Sequence, residues 1–321
     1  MSITSTSSVV APSTIGISPN LRMFMRKDLL GRVVPKLVHA KDGLPHSIPK
    51  GQGNVIQMRR RNRIIPASAS AYLLTEGVTP SPLSPDTEQI LVTVSPYGGW
   101  INATDVAEEI TYDNLLQADI KDLGDFCGEV IDLSVRDNIV SGSQAVYAAG
   151  RVSRVTVAAG DLLDDALLKK AVAVLRDKNA PTFADGTYHM ILPSLAMYDL
   201  MGTDGWKYKS WYQNAGDIEM GKVERLYGIK FFDTSLAKSF TGAGAAGINV
   251  YAGLVYGPGA FGTVDLPGLN QDVIIKTVDS GGADNPLNQR GSRGTKASMG
   301  SKVIDEKRIV RVEFALGYAG I

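Results

Sequence analysis

Two stretches of strict alternation frame one segment of the chain. In residues 55–63, Ile56 and Met58 share one side of an extended strand, while Gln57, Arg59, Arg61 and Arg63 share the other. In residues 89–95, Ile90, Val92 and Val94 alternate with Gln89, Thr93 and Ser95, and only Leu91 falls off the pattern. The connection between these arms is punctuated by Pro66, Pro80, Pro82 and Pro85. A connection of that length without structure is uncommon inside a compact domain and signals function or disorder. A two-stranded ribbon is marginal alone in water, so an ordered hairpin here needs something outside it to cover its apolar face.

The period then changes. Across residues 111–142, Leu116, Ile120, Leu123, Cys127 and Val130 recur at spacings of four and three, which predicts one long helix. At ~1.5 Å per residue it would be a rod of roughly 45 Å. Gly124 and Gly128 inside it point to a bend or to close packing against another backbone. Cys127, on the apolar stripe, reads as a buried packing residue.

A second helix is expected over 161–179, with Asp161 as N-cap and Asp164 three residues on. Basic residues follow late and Asn179-Ala180-Pro181 ends it, as the helix dipole favours. TYHMILPS reads as a buried strand and SLAMYDLM as a short helix; INVYAGLVYG, DVIIKTVDS and KRIVRVEFAL read as strands between Gly/Pro turns. Residues 1–20 are Ser/Thr/Pro-rich and read as an arm ordered only by a partner. Leu21, Phe24, Met25 and Leu29 form one short helix face before Gly31 and Pro35, and 41–54 is loop.

Charge narrows the function. Lys plus Arg equals Asp plus Glu at 33 each, for a net charge of zero, and 44% of the residues are hydrophobic. A protein gripping nucleic acid over its whole surface would be basic, so any DNA contact is local or weak. The single cysteine excludes an intramolecular disulfide. No secretory n-region and no apolar run of membrane-spanning length is visible, so the chain reads as soluble and made in the cytoplasm.

Candidate chemistry is sparse. GAGAAG (242–247) and GPGAFG (257–262) match a dinucleotide fingerprint literally, but neither sits between a strand and a helix, so both read as turns. His39 and His46 flank Gly43 and Pro45 without a ligand spacing, and His189 lies in an apolar run and reads as a satisfied core or face histidine. No G-x-S-x-G elbow and no distinctive carboxylate pair is present, so no catalytic, cofactor or metal site is expected. The RRRNR run is strand-like, and alternation sends Arg60 to the side opposite Arg59 and Arg61. Ion pairing with carboxylates across a protein interface suits it better than DNA contact. WKYKSWYQ (206–213), with Trp206 and Trp211, reads as a subunit contact.

The order of these pieces resembles a known family. A Ser/Thr-rich arm, an arginine-bearing strand, LTEGVTP, VTVSPYGGWINATDVAEEI and the long helix are similar to tailed-bacteriophage major capsid proteins. The resemblance is nearest to the group of the large-virion-RNA-polymerase podoviruses. DGTYHMILPSLAMYDLM, VERLYGIKFFDTS, VYGPGAFGTVDLPG and residues 284–313 extend it, so it covers about residue 20 to the end. RGSRGTKASMGSKV departs from the pattern, which has an aromatic after the second glycine.

The resemblance implies an α+β chain with the Hong Kong-phage-type capsid fold. Residues 1–50 would be the N-terminal arm, 51–97 an extended loop lying across a neighbouring subunit, and 98–160 a peripheral domain with a spine helix at 111–141. Residues 161–300 would be mainly the axial domain, and 301–321 a C-terminal strand returning to the core. Inter-subunit contact is expected at Arg59, Arg60, Arg61, Arg63, Tyr72, Glu76, Asp86 and Glu88, with the adjacent subunit covering the hairpin's apolar face. Partners would be further copies in hexamers and pentamers of an icosahedral shell, a portal protein, scaffolding and decoration proteins, and non-specifically packaged double-stranded DNA, with no membrane and no cofactor. The location would be the virion, with assembly in the host cytoplasm. Some such shells crosslink through a loop lysine; no lysine lies between Arg59 and Pro96, so no crosslink and no enzymatic activity is implied. A cellular nanocompartment shell of the same fold and a mixed α/β enzyme with an unrecognised site are the competing readings.

Overall fold

The computed structural model describes residues 25, 28–29, 37–66, 68–110, 115–207, 225–266, 272–276, 287 and 289–318. The expected arm (1–20) and Trp211 lie outside them; of the short helix face, Met25 and Leu29 are described, helical and buried. The strands are β1 (Leu44–Ser47), β2 (Val55–Arg61), β3 (Thr87–Thr93), β4 (Ser95–Thr104), β5 (Ala145–Tyr147), β6 (Tyr188–Pro193) and β7 (Arg225–Leu226). They continue with β8 (Ile229–Thr234), β9 (Ser239–Phe240), β10 (Val250–Tyr256), β11 (Phe261–Asp265), β12 (Asp272–Lys276), β13 (Arg290–Val303) and β14 (Ile309–Phe314). The helices are α1 (Asp105–Ile110), α2 (Leu115–Val140), α3 (Asp165–Asp177) and α4 (Ser194–Met201).

The chain forms two compact units, one of 1–37, 96–131 and 268–298, the other of 38–95, 132–267 and 299–321. Residues 268–298, expected with the axial segment, thus group with 96–131. In this first unit β4 and β12 both pair with β13, with Asp272 opposite Lys296 and Lys276 opposite Ser292. The backbones approach closely: a Cβ on Gly98 would lie 2.8 Å from Thr295 O, and one on Gly294 3.3 Å from Gly99 O. Ile120, Leu123, Cys127 and Ile131 of α2 are buried. The seam passes through Ile131 where Val130 was expected, because a straight helix drifts by about 20° per heptad from a 3.5-residue repeat. Burial raises the Cys127 thiol pKa.

The second unit is built on a seven-stranded sheet in the order β5-β14-β10-β6-β8-β7, with β9 on β10. Every residue of β6 is buried, because both sheet faces are covered. On one side Leu167, Leu168, Ala171, Val172 and Leu175 of α3 pack against Tyr188, Met190, Val255, Val310 and Phe314. On the other, Val135, Ile139 and Val140 of α2 meet Ile191, Leu254, Tyr256 and Ile309. The helix α3 starts three residues later than expected: Asp164, not Asp161, is the N-cap, accepting from Leu167 N at 2.8 Å. Asp161 is engaged elsewhere, by Arg151 Nε at 2.7 Å and Ala158 N at 2.8 Å. Those bonds hold its carboxyl below the ordinary range, so their stabilisation is present at neutral pH and fades as acid protonates it. Asn179, at φ 54°, ends the helix in the left-handed region.

A buried ionic cluster closes this unit. Glu313 on β14 is fully buried and accepts from both Arg154 Nε and Nη2 at 2.7 Å and from Arg311 Nε at 2.6 Å. Arg154 also lies over the Phe240 ring at 3.4 Å. Arg311 donates onward to Val140 O and, at 2.9 Å, to Gly142 O, satisfying carbonyls at and just beyond the α2 C-terminus. Replacing Glu313 by Gln should cost about 3 kcal/mol of unfolding free energy in urea titrations, since it strands two guanidinium groups. Cys127 should resist maleimide labelling in the folded chain and react promptly once urea unfolds it, because burial both raises its pKa and blocks access.

Candidate subunit interface

The two alternating arms form an antiparallel ribbon, β2 against β3, in a register that sets Met58 opposite Ile90, Arg60 opposite Glu88 and Arg59 opposite Gln89. The pleat sends Met58, Ile90 and Val92 to one face and leaves Gln57, Arg59, Arg61, Gln89 and Leu91 on the other, exposed. Asn62 closes the far end, donating its N–H to Asp86 O at 2.9 Å and its side-chain amide to Asp86 Oδ2 at 2.6 Å.

One expectation is overturned. The apolar face of the ribbon is covered by its own chain: Met58, Ile90, Val92 and Val94 pack with Ile48 and Val264, flanked by Ile56, Leu266 and Ile304. Alternation along the arms specified that a cover was needed, but Val264 of β11, with Leu266 and Ile304, supplies most of it from distant sequence, and Ile48 just after β1 supplies the rest. Two glycines let the ribbon lie down. A Cβ on Gly300 would fall 2.6 Å from Thr93 O, and one on Gly262 would fall 3.0 Å from the Met58 sulfur. Lys302 Nζ donates to Leu91 O at 3.2 Å.

Arg60 is likewise corrected. It shares the inward side with Met58 and is spent within the chain, donating to Ile304 O at 2.8 Å and Asp305 at 3.1 Å and pairing with Glu88. Neither Arg60 nor Glu88 is therefore a free contact group. Arg60, Glu88, Gln144, Lys302, Glu306 and Lys307 line a cleft of about 550 Å³ at the ribbon's base. Arg59, Arg61 and Arg63 are exposed and have no ion-pair partner among the described residues.

Beyond Asn62 and Asp86 the character changes. Apart from Ala67, every residue from Arg63 to Gln89 is described and exposed, including Tyr72 and Glu76. A short 3₁₀ turn at Ser70–Tyr72 and a turn at Gly77 (φ 78°) shape the tip. Its large apolar side chains are bare: Leu73 is 83% exposed, Leu74 73%, Ile65 72% and Val78 64%. Several large apolar side chains are thus exposed within one short segment.

Trp206 does not belong to such a surface. It is 7% exposed and packs in the core beside α3, where Gly205 N donates to Asp165 Oδ2 at 2.9 Å. Alternating aromatics and lysines did not distinguish a core tryptophan from an interface one. GAGAAG forms a turn with Gly242, Ala246 and Gly247 at positive φ, and GPGAFG turns at Gly259 before entering β11. No group of His, Cys, Asp or Glu among the described residues is placed to hold a metal ion. No described helix is long and apolar enough to cross a membrane.

Solved structures to which this chain is similar include phage capsids. The capsid of cyanophage P-SCSP1u aligns over 85% of this chain and 86% of its own at 15% identity, TM-score 0.64. The capsid of Ralstonia phage GP4 covers 88% and 92% at 11% identity, TM-score 0.68. The cyanophage Pam1 capsid asymmetric unit covers 99% of each chain at 13% identity, TM-score 0.68. No protein-family model matches the sequence, nor does any curated protein sequence. The chain thus has the α+β fold of these capsid chains, as the sequence resemblance implied.

Enlarging Gly300 should unseat the ribbon while sparing the sheet: Gly300→Val should lower stability by about 2 kcal/mol and raise hydrogen exchange in 55–61 and 87–94. Met58→Ala should cost about 2–3 kcal/mol, the usual loss for an emptied core methionine site.

Proposed function

We propose that this chain is a major capsid protein, the repeating unit of an icosahedral phage head, and that its role is structural rather than catalytic. The fold supports this reading, and one observation carries it. A ribbon fixed firmly at its base holds out a tip whose Leu73, Leu74, Ile65 and Val78 have no cover on their own chain. A monomer has no use for a rigid mount bearing an unsatisfied apolar end; a lattice of identical copies does, because each copy supplies the cover its neighbour lacks.

On this reading the contact area is the tip plus the outer arginine rail. Tyr72, Ile65, Leu73, Leu74 and Val78 supply the buried area, which drives association. Arg59, Arg61 and Arg63 meet carboxylates of the adjacent subunit, and Glu76 and Asp86 lie on the same projection. Copies assemble as hexamers and pentamers, joined by a portal protein and aided by scaffolding or decoration proteins, in the host cytoplasm before residing in the virion. Double-stranded DNA is enclosed without sequence recognition; with zero net charge, the shell attracts it only modestly.

Replacing residues 64–85 by a short Asn-Gly turn should leave a folded, soluble chain that forms no shells in negative-stain electron microscopy. Closed particles of normal size from that variant would refute the reading. Reversing Arg59 and Arg61 to Glu should block assembly while shifting monomer stability by less than about 0.5 kcal/mol, as exposed charges do.

A further inference from the structure

The outer edge of β2 is an unfinished sheet. Val94 N donates to Asn54 O at 2.8 Å and Asn62 N to Asp86 O at 2.9 Å, one bond at each end of an unbroken register. Hydrogen-bonded and non-bonded pairs alternate in an antiparallel ladder, so Ile56, Met58 and Arg60 are the residues that bond across to β3. The N–H and C=O groups of Val55, Gln57, Arg59 and Arg61 then point the other way, out of the ribbon. β2 pairs with no other described strand, and all four of those residues are exposed.

The two edges of the ribbon differ. On β3 the outward groups belong to Thr87, Gln89, Leu91 and Thr93, and the body closes on the last two. Lys302 Nζ donates to Leu91 O at 3.2 Å, and Gly300 lies so near that a Cβ on it would fall 2.6 Å from Thr93 O. No described residue closes on the edge of β2 in this way.

A bare edge is a template for a further strand, whose main chain supplies affinity and whose alternate side chains supply the choice of partner. Arg59 and Arg61 make that choice, since neither has an ion-pair partner among the described residues. A second β2 laid alongside would set guanidinium against guanidinium, and like charges side by side are unfavourable. A strand that fits brings carboxylates two residues apart, both on the arginine face, with apolar residues turned to the side of Ile56 and Met58. In the whole sequence carboxylates stand two residues apart at only two places. Asp86 and Glu88 are one, and they are engaged within their own ribbon by Asn62 and Arg60. The other is Asp217-Ile218-Glu219-Met220, which lies outside the described residues and alternates acid with apolar.

We infer that the outer edge of β2 accepts residues 216–221 of a second copy as an added antiparallel strand, with Arg59 opposite Glu219 and Arg61 opposite Asp217. The inference rests on the capsid reading above, in which copies associate, and it names the carboxylates that the arginines meet. Antiparallel pairing is the more stable kind, and this register makes both Arg–acid pairs hydrogen-bonded ones through the outward main-chain groups. Met220 then falls beside Met58, on the apolar side of the ribbon.

Two measurements test the edge. A synthetic peptide of residues 213–221, added to the dilute full chain, should slow hydrogen exchange over 55–61 by about tenfold or more. The same peptide with Asp217→Lys and Glu219→Lys should leave it unchanged. No slowing, or equal slowing by both peptides, would overturn the inference. This arm needs no shells, so its failure is distinct from failure of the capsid reading. In the second arm, a chain with Arg59→Glu and Arg61→Glu and a chain with Asp217→Arg and Glu219→Arg should each fail to associate alone in sedimentation. Their equimolar mixture should associate, because each edge then meets a segment of opposite charge. A mixture that stays apart would overturn the inference, as would association of the Asp217→Arg, Glu219→Arg chain by itself. Rescue only when all four reversals share one chain would put the segment on its own edge and overturn it too.

Discussion

The burial of Met58, Ile90, Val92 and Val94 against Val264 and Ile48 is the contact on which the rest of the projection depends. It turns a ribbon that would be marginal in water into a mounted lever. Close packing makes the mount specific, because side chains at Gly262 or Gly300 would meet Met58 and Thr93 at once. Arg60 then locks the seat by bonding Ile304 O and Asp305. Past Asn62 and Asp86 the described residues offer no such cover, and the exposed leucines begin. The boundary between the covered part of the ribbon and its exposed tip is therefore a single pair of residues.

Much of this was legible in the sequence, for definite reasons. Alternation placed Met58 and Arg60 on one side of the arm and Arg59 and Arg61 on the other, as found, since strand geometry allows no other arrangement. The stripe of α2 and the burial of Cys127 followed from helical spacing. What covers the ribbon was not legible, because Val264, Leu266 and Ile304 lie far away in sequence and packing partners leave no local mark. The fourteen-residue strand β13 escaped notice for another reason. Its RGSRGTKASMGSKV sequence shows no bulky alternation, since it packs small residues where β4 and the ribbon approach closely. Trp206 and Asp161 failed on partner choice, which local composition does not specify.

Neutral net charge hides a strong internal division of labour. The buried charges are consumed in cis, in Glu313 with its two arginines, Asp132 with His39, and Arg293 with Asp119. Arg59, Arg61 and Arg63, by contrast, stand on the outer rail of the ribbon. Ionic groups therefore fix the geometry of the interior while others stand exposed on the ribbon, without requiring an excess of either sign.

The placement of β14 has a consequence for how the protein is made. It lies between β5 and β10, made much earlier in translation, and carries Glu313, which neutralises Arg154. A ribosome must release residues 309–314 before the central sheet can close. Until then β5 has no strand to pair with and Arg154 lacks the carboxylate that neutralises it, so the last strand made joins the edge of the sheet to its body.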